Sequence, residues 1–218
     1  MRMLGIDPGL RITGYACVEG DPYAPCLVEA GVFRLGRRVA RPRGTVEVES
    51  PHEEASPEGS LGAVSLGSRL AELERDLVEV IERVRPRAAA VESLFAHYKH
   101  PATAIVMGHA RGVILLAIRR ARLPIVELRP NEVKKSVTGN GHAGKAQMQR
   151  AVQAQFGLAE PPSPPDVADA IAIAVCAARR ILRAGELAGA IRPDWPRTRR
   201  ADRTDRILLP DPGLQTGV

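Results

Sequence analysis

Short apolar or alternating stretches, bounded by turn residues, occupy the first 35 residues of the chain. This pattern predicts three β-strands, at residues 4–7, 12–18 and 26–35. Because only short turns separate these strands, the simplest arrangement is an antiparallel meander.

The apolar positions then change to helical spacing. The residues that repeat on one helical face are Leu66, Leu70, Leu73, Leu77, Val80, Ile81 and Val84. With Glu and Arg between them, they predict an amphipathic helix. Further helices are predicted at about 102–121, 131–137 and 145–156, and from the end of a Ser-Pro-Pro sequence at 163–165 to about 184. Two short buried strands are predicted at 88–92 and 124–128. A meander followed by alternating helices and strands predicts one α/β domain, with a mixed five-stranded sheet flanked by helices.

Two segments lack such a pattern. Residues 37–63 carry arginines followed by glutamates, with Pro, Gly and Ser among them, and predict a loop or disordered insertion. Residues 185–218 are rich in Arg, Asp and Pro and predict a basic, flexible tail. The predicted organisation is therefore one domain over residues 1–184, interrupted at 37–63 and followed by the tail.

The charge balance favours a polyanionic partner such as nucleic acid, since the net charge is +6. Only four of the 31 basic residues are Lys, which could suit phosphate binding or could reflect a coding bias. No apolar run reaches the length of about 18 residues that a transmembrane helix needs. The start of the chain reaches a charge too soon, by Asp7, for a secretory signal, and three cysteines without C-x-x-C spacing argue against a disulfide framework. We therefore expect a cytoplasmic protein without a membrane partner.

Four carboxylates occupy positions where an ordinary core would not place them. Asp7 and Glu92 each end a predicted buried strand, and Asp166 and Asp169 share one face of the last helix's first turn. Brought to one point, these acids would repel each other unless cations neutralised them. Hard cations such as Mg²⁺ or Mn²⁺ prefer oxygen ligands. Two such ions about 4 Å apart can activate water and stabilise the leaving oxygen in phosphodiester cleavage.

Each acid also has a simpler explanation when it is considered alone. Asp7 precedes Pro-Gly and could belong to a turn, and Glu92 could cap a neighbouring loop. Ser163 and Asp166 have the spacing of an N-cap with a reciprocal acidic residue, where the helix dipole favours acids. A metal-binding cluster accounts for all three places together, and we adopt it as the hypothesis.

Four segments resemble, in order and at similar spacing, the RuvC family of Holliday-junction resolvases. They are GIDPGLRITG at residues 5–14, VESLF at 91–95, GHARG at 108–112 and DVADA at 166–170, within a resemblance that spans residues 2–184. It implies a ribonuclease H-like fold, a homodimer, and two-metal-ion cleavage of four-way DNA junctions by paired incisions in recombination and repair. It also suggests RuvA and RuvB, the branch-migration proteins, as partners. The segment 37–63 is longer than this family leads us to expect.

The resemblance assigns roles to single residues as well. The acids that it assigns to metal binding and catalysis are Asp7, Glu92, Asp166 and Asp169. It implies two Mg²⁺ ions per active site, which Mn²⁺ could replace. Lysines placed like Lys134 and Lys145 contact DNA near the metals in family members, and Lys145 is also expected to assist catalysis. A solvated helix face is the alternative explanation for both lysines.

Two further residues belong to the predicted DNA-binding set. Phe95 follows Glu92 among polar neighbours and could wedge between bases or stack on an unpaired one, although a core position is the alternative. Arg111, within the GHARG segment, is assigned to DNA binding by the resemblance. The start of a helix after the glycine-rich loop 139–144 could also bind phosphate through backbone N–H groups.

Paired incisions of a junction predict a C₂ dimer, because the substrate itself has two-fold symmetry. The predicted helix at 102–121 carries Gly108 and Gly112, whose small size would let a second copy approach closely. We therefore expect that helix at or near the dimer interface.

Three rival functions follow from the same sequence. Residues 139–145 have the spacing of a nucleotide-binding P-loop, but Ala146 stands where Ser or Thr should bind Mg²⁺, and no hydrophobic strand precedes the loop, so we reject it. Asp7, Gly9 and Gly14 also resemble the first phosphate loop of actin-like and sugar-kinase ATPases, which need two such domains and a longer chain. A non-catalytic junction-binding module would not require all four acids.

Overall fold

The computed structural model of the protein describes residues 1–36, 64–93 and 101–184. Its elements are β1 Met3–Asp7, β2 Ile12–Asp21, β3 Ala24–Arg34, α1 Leu66–Val84, β4 Ala88–Glu92, α2 Pro101–Arg120, β5 Ile125–Leu128, α3 Pro130–Thr138, α4 Lys145–Phe156 and α5 Pro165–Ala184. Every helix and strand predicted from the sequence is present, with bounds that differ by a few residues at most. The predictions for 37–63 and 185–218 lie outside the described residues.

The five strands form one mixed sheet in the order β3-β2-β1-β4-β5. The first three strands pair antiparallel, which confirms the predicted meander, while β1–β4 and β4–β5 pair parallel. Parallel neighbours end at the same edge of a sheet. Since Ile6 is opposite Val91, the terminal residues Asp7 and Glu92 lie side by side at that edge.

Helices cover both faces of the sheet and divide the core in two. On one face, α1 and α2 pack large aliphatic side chains against Leu4, Ile6 and Val91. On the other face, α3, α4 and α5 pack against Met3, Ala88 and Ala90. Side chains of successive strand residues point to opposite faces, which explains how adjacent residues of one strand serve different cores.

The start of α1 is fixed by its own sequence. The Ser65 hydroxyl accepts a hydrogen bond from the Ser68 amide at 3.1 Å, as an N-cap residue does. The apolar face of the helix then buries Leu73, Leu77 and Val80. Within the described ranges, none of the helices combines the length and the apolarity that a membrane span requires.

Helix α5 approaches the backbone of β1 and β2 closely because two glycines leave room for it. A Cβ atom on Gly5 would overlap the backbone of α5 at Ala170 and Ala174, and one on Gly14 would overlap the carbonyl group of Asp166. Gly14 also pairs with Asp7 across the β1–β2 ladder. The first turn of α5 is therefore held against the edge where β1 ends.

Candidate active site

The four acids predicted from the sequence meet at one edge of the sheet. Asp7 and Glu92 are the last residues of β1 and β4, and Asp166 and Asp169 lie near the start of α5. All four side chains are partly buried. Their positions follow from parallel pairing of two strands and from the glycine-mediated approach of α5.

Burial and mutual repulsion raise the pKa values of three of the acids, Asp7, Glu92 and Asp169. The pKa of Asp7 lies well above its usual value, first because of burial and then because of the charges of Asp169, Glu92 and Asp166. Burial and the charge of Asp169 raise the pKa of Glu92 to about 7. Burial raises the pKa of Asp169 as well, with a further contribution from Asp166. The charges of the other three acids therefore all raise the pKa of Asp7.

The donor chemistry of this cluster suits divalent cations. Among the described residues, none of the four carboxylates has a hydrogen-bond or salt-bridge partner. No three His, Cys, Asp or Glu side chains in that part of the chain are arranged so that they could hold one metal ion. Without a cation between them, the carboxylates repel each other, so binding of a metal ion would bring the carboxylates closer together. Partly buried, unpaired carboxylate oxygens are ligands that Mg²⁺ and Mn²⁺ accept.

The two lysines predicted to bind DNA, Lys134 and Lys145, both lie near the acids. Lys134 on α3 lowers the pKa values of Glu92 and Asp169, and Lys145, the first residue of α4, lowers those of Asp7 and Asp169. Lys134 is half-buried, while the side chain of Lys145 is exposed. The structure therefore brings both lysines to the acidic cluster.

The loop between α3 and α4 fixes the spacing of these lysines. The Thr138 hydroxyl donates to the Lys134 carbonyl group at 2.8 Å and accepts from the Asn140 amide at 3.1 Å. The Asn140 side chain in turn accepts from the His142 amide at 2.9 Å. Gly139 adopts a φ of 77°, which favours glycine and ends α3. Helix α4 begins without a side-chain cap, so its first N–H groups are free of that partner.

Thr13 supports the site and was not singled out from the sequence. It is the buried polar side chain among the described residues. Its hydroxyl donates to the Gly9 carbonyl group and accepts from the Gly9 amide at 3.3 Å, so it closes the turn directly after Asp7. The available signal was a polar residue at an inward position of a predicted strand.

Arg111, predicted to bind DNA, has two protein partners in this structure. Its guanidinium forms a salt bridge with Glu127 on β5, and its Nε donates to the carbonyl oxygen of Glu92 at 3.4 Å. The DNA-binding role of Arg111 stays a prediction. Phe95 lies outside the described residues, so its predicted role stays a prediction too. Glu127 was missed, although it is the one charged residue in an otherwise apolar strand.

Comparison with known proteins identifies relatives along most of the chain. The family model for crossover junction endodeoxyribonuclease RuvC matches residues 61–177. The enzyme of that name from Rhodopirellula baltica is 42% identical over 174 residues, which are 80% of this chain and 84% of the relative. Its counterpart from Moorella thermoacetica is 41% identical over 81% of this chain and 90% of the relative.

Similar solved structures include members of the same family as the sequence relatives. Thermus thermophilus RuvC in complex with a Holliday junction substrate superposes with a TM-score of 0.66 and 30% identity, over 85% of this chain and 96% of that one. The yeast mitochondrial Holliday junction resolvase Ydc2, at 13% identity and a TM-score of 0.51, supports the fold alone. The fold is the ribonuclease H-like α/β fold that the family resemblance implied, built on the mixed sheet that the sequence pattern predicted. By its family-model match, its relatives and its structure, the chain belongs to the RuvC family of crossover junction endodeoxyribonucleases.

Proposed function

We propose that this protein resolves four-way DNA junctions by paired, symmetric cleavage of phosphodiester bonds, in homologous recombination and DNA repair. The observation that carries the proposal is the convergence of four unpaired carboxylates and two lysines at one edge of the sheet, in a RuvC family fold. A module that only bound junctions would gain nothing from placing these acids together, because negative charge repels the DNA backbone.

The acids would hold two Mg²⁺ ions per active site, and Mn²⁺ would be able to replace them. Asp7 is the central ligand of this proposal, since its pKa responds to Asp169, Glu92 and Asp166 alike. Bound divalent cations would supply the charge that activates the attacking water and stabilises the leaving oxygen. The role of this chain is to hold the carboxylates together in a partly buried place.

Lys145 and Lys134 would bind the phosphates of the DNA strand. Both stand close enough to the acids to influence the pKa values of Glu92 and Asp169, so a phosphate held between lysines and acids would lie beside the proposed metal ions. Lys145 would also offset negative charge beside Asp7 during cleavage. The uncapped start of α4, at Gly144, offers backbone N–H groups for the same strand.

A homodimer would provide the two symmetric incisions. Helix α2 exposes Ile105 and Leu116, with 63% and 49% of their surface accessible, and among the described residues no atom beyond the helix's own backbone lies within 4 Å of a Cβ position at Gly108 or Gly112. A second copy packed on this face would bury the apolar side chains across a two-fold axis. Family membership further leads us to propose RuvA and RuvB as partners, and the cytoplasm as the location.

Incubation of the purified protein with a labelled four-way junction tests this function. We expect paired nicks at symmetric positions when Mg²⁺ or Mn²⁺ is present, none in EDTA, and no ATP turnover. Intact junctions with every divalent cation tried would contradict the proposal. Sedimentation that shows a monomer with full resolving activity at micromolar concentration would contradict the dimer.

A further inference from the structure

Arg111 links helix α2 to the strand end that carries Glu92. Its guanidinium is held by the Glu127 carboxylate, and its Nε donates to the Glu92 carbonyl oxygen at 3.4 Å. Only 19% of the Arg111 side chain is accessible, against 55% for Glu127. The arginine therefore points towards the sheet and not into solvent.

The arginine reaches Glu92 from the face of the sheet opposite to the acids. Val91 belongs to the core under α1 and α2, whereas Ala90 belongs to the core under α5. By strand alternation, the side chain of Glu92 lies on the α5 face, where the charge of Asp169 acts on it. Glu127 is opposite Val91 in the β4–β5 ladder and so faces α2. Arg111 thus contacts the main chain of Glu92 from behind its carboxylate.

The backbone at Glu92 is consequently fixed from two directions. The next amide, that of Ser93, donates to the Leu128 carbonyl group at 2.8 Å and ties the strand end to β5. The Glu92 carbonyl group, at the other side of the same peptide unit, receives Arg111. Because the peptide plane is rigid, these two bonds together restrict the position of the Cα atom of Glu92.

We propose that Arg111 is a positioning residue that holds Glu92 in place for metal binding. The Glu127 carboxylate balances the charge of the Arg111 guanidinium. This salt bridge also leaves Arg111 less available to bind a DNA phosphate. This inference rests on the proposed role of Glu92 as a metal ligand. Residues that orient metal ligands commonly contribute about 10- to 100-fold to metal affinity.

Mn²⁺ binding, followed by the electron paramagnetic resonance signal of the free ion, tests this role without any cleavage. We expect Arg111→Met to weaken Mn²⁺ binding about 10-fold or more. Junction binding in EDTA should change little, with the same dependence on salt. Arg111→Lys should recover part of the Mn²⁺ affinity, because an ammonium can satisfy one of the two partners.

The matched control is Arg120→Met on the same helix. Arg120 pairs with Glu74 at 3.1 Å, so this variant also removes one charge and one salt bridge from α2. It should leave Mn²⁺ binding unchanged. Circular dichroism will show whether Arg111→Met folds. If it does not, Glu127→Gln is tested in its place. Glu127→Gln should also weaken Mn²⁺ binding, but by a smaller factor.

The opposing outcomes separate the inference from the proposed metal site. Normal Mn²⁺ affinity in Arg111→Met, or in Glu127→Gln where that variant is needed, overturns the positioning role. Weaker junction binding with a salt dependence flatter by about one unit would then assign Arg111 to a phosphate contact. Glu92→Gln serves as the reference: if it too binds Mn²⁺ normally, the proposed metal site fails and the inference fails with it.

Discussion

The helices on the two faces of the sheet approach its backbone to different extents. On the face that carries the acids, α5 contributes many small buried residues, namely Ala168, Ala170, Ala172, Ala174, Ala177 and Ala178. They meet Gly5 and Gly14, so that backbone lies almost on backbone. On the other face, Leu73, Leu77 and Ile118 fill the space between the sheet and two helices.

This difference concerns placement more than stability. Burying a large aliphatic side chain contributes roughly 1.5–3 kcal/mol, and both faces bury such side chains, for example Leu73 on one and Ile171 on the other. Small residues contribute less burial but fix the distance between α5 and the strands to a narrow range. We infer that the close approach of α5 serves the placement of Asp7, Asp166 and Asp169, while the burial of large side chains on both faces supplies stability.

The largest effect is expected when chemistry is removed from the α5 face and its packing is kept. Asp7→Asn preserves shape but removes a charge that the proposed metal ions need, so cleavage of a four-way junction should fall by orders of magnitude. Junction binding in EDTA should stay the same or tighten, because one negative charge near the DNA has gone. A folded Asp7→Asn protein that still cuts at nearly the normal rate would refute the proposed site.

The opposite face should respond in stability and not in chemistry. Leu77 is fully buried on the apolar side of α1, and Leu77→Ala should lower the free energy of unfolding by about 2–5 kcal/mol. Below the melting temperature, its metal dependence of cleavage should match that of the unaltered protein. Urea titration measures the first quantity and junction cleavage the second. Leu66→Ala, at a residue 40% exposed on the same helix, should cost under about 1 kcal/mol.

A single methyl group should affect both properties at the contact between α5 and β2. Gly14→Ala places a Cβ against the carbonyl group of Asp166, and overpacking of this kind costs about 1–3 kcal/mol. Because the first turn of α5 must shift, cleavage should fall by more than the loss of folded protein explains. Gly67→Ala on α1 is the control, since its Cβ meets only the end of the Ser65 side chain. Because Gly67 lies in the first turn, this variant should leave the stability unchanged or raise it slightly. Equal activity losses in the two variants would mean that close approach of α5 has no special role.

The pH dependence of stability should also belong to the α5 face. The pKa of Glu92 is raised from 4.5 to about 7, and those of Asp7 and Asp169 are raised too. A raised carboxyl pKa means that the folded state binds the proton more tightly than the unfolded state. The associated stability is fully present below about pH 4.5 and is lost as the pH rises through 7. In EDTA, Glu92→Gln should therefore lose less stability between pH 5 and pH 8 than the unaltered protein, as measured by thermal melting. Parallel melting curves for the two proteins would show that Glu92 does not titrate in this way.

Much of the fold could be predicted because local patterns were strong. The bounds of α1, β4 and α4 agree with the helical and strand periods of the sequence. The turn after β2 was placed too early, since Gly20 and Asp21 look like turn residues but pair with Pro25 and Ala24. Hydrogen bonds from a neighbouring strand outweigh weak local preferences in such cases.

The contacts around the site were harder to predict than its members. The four acids could be chosen because a charge at the end of a buried strand is unusual, and because the motifs resembled a known family. The role of Arg111 could not be read in this way, since its partners Glu92 and Glu127 belong to different strands. A basic residue on a helix looks the same in the sequence whether it meets a phosphate or a carboxylate.

The smallest expected effect concerns Lys145, which lies at the rim of the α5 face. Its exposed side chain acts on Asp7 and Asp169 by charge and not by packing. Lys145→Ala should therefore leave the melting temperature nearly unchanged and weaken junction binding modestly. If one phosphate contact is lost, the slope of log Kd against log salt should flatten by about one unit, because one fewer counterion is released on binding.

Arg150→Ala, at an exposed residue further along α4, is the control for a lost positive charge and should change the slope less. Cleavage should also slow if Lys145 offsets negative charge beside Asp7, and this loss should persist at saturating DNA. An unchanged slope in Lys145→Ala, with normal cleavage, would show that Lys145 does not contact the DNA. Lys134 would then be the remaining candidate for the phosphate contact near the acids.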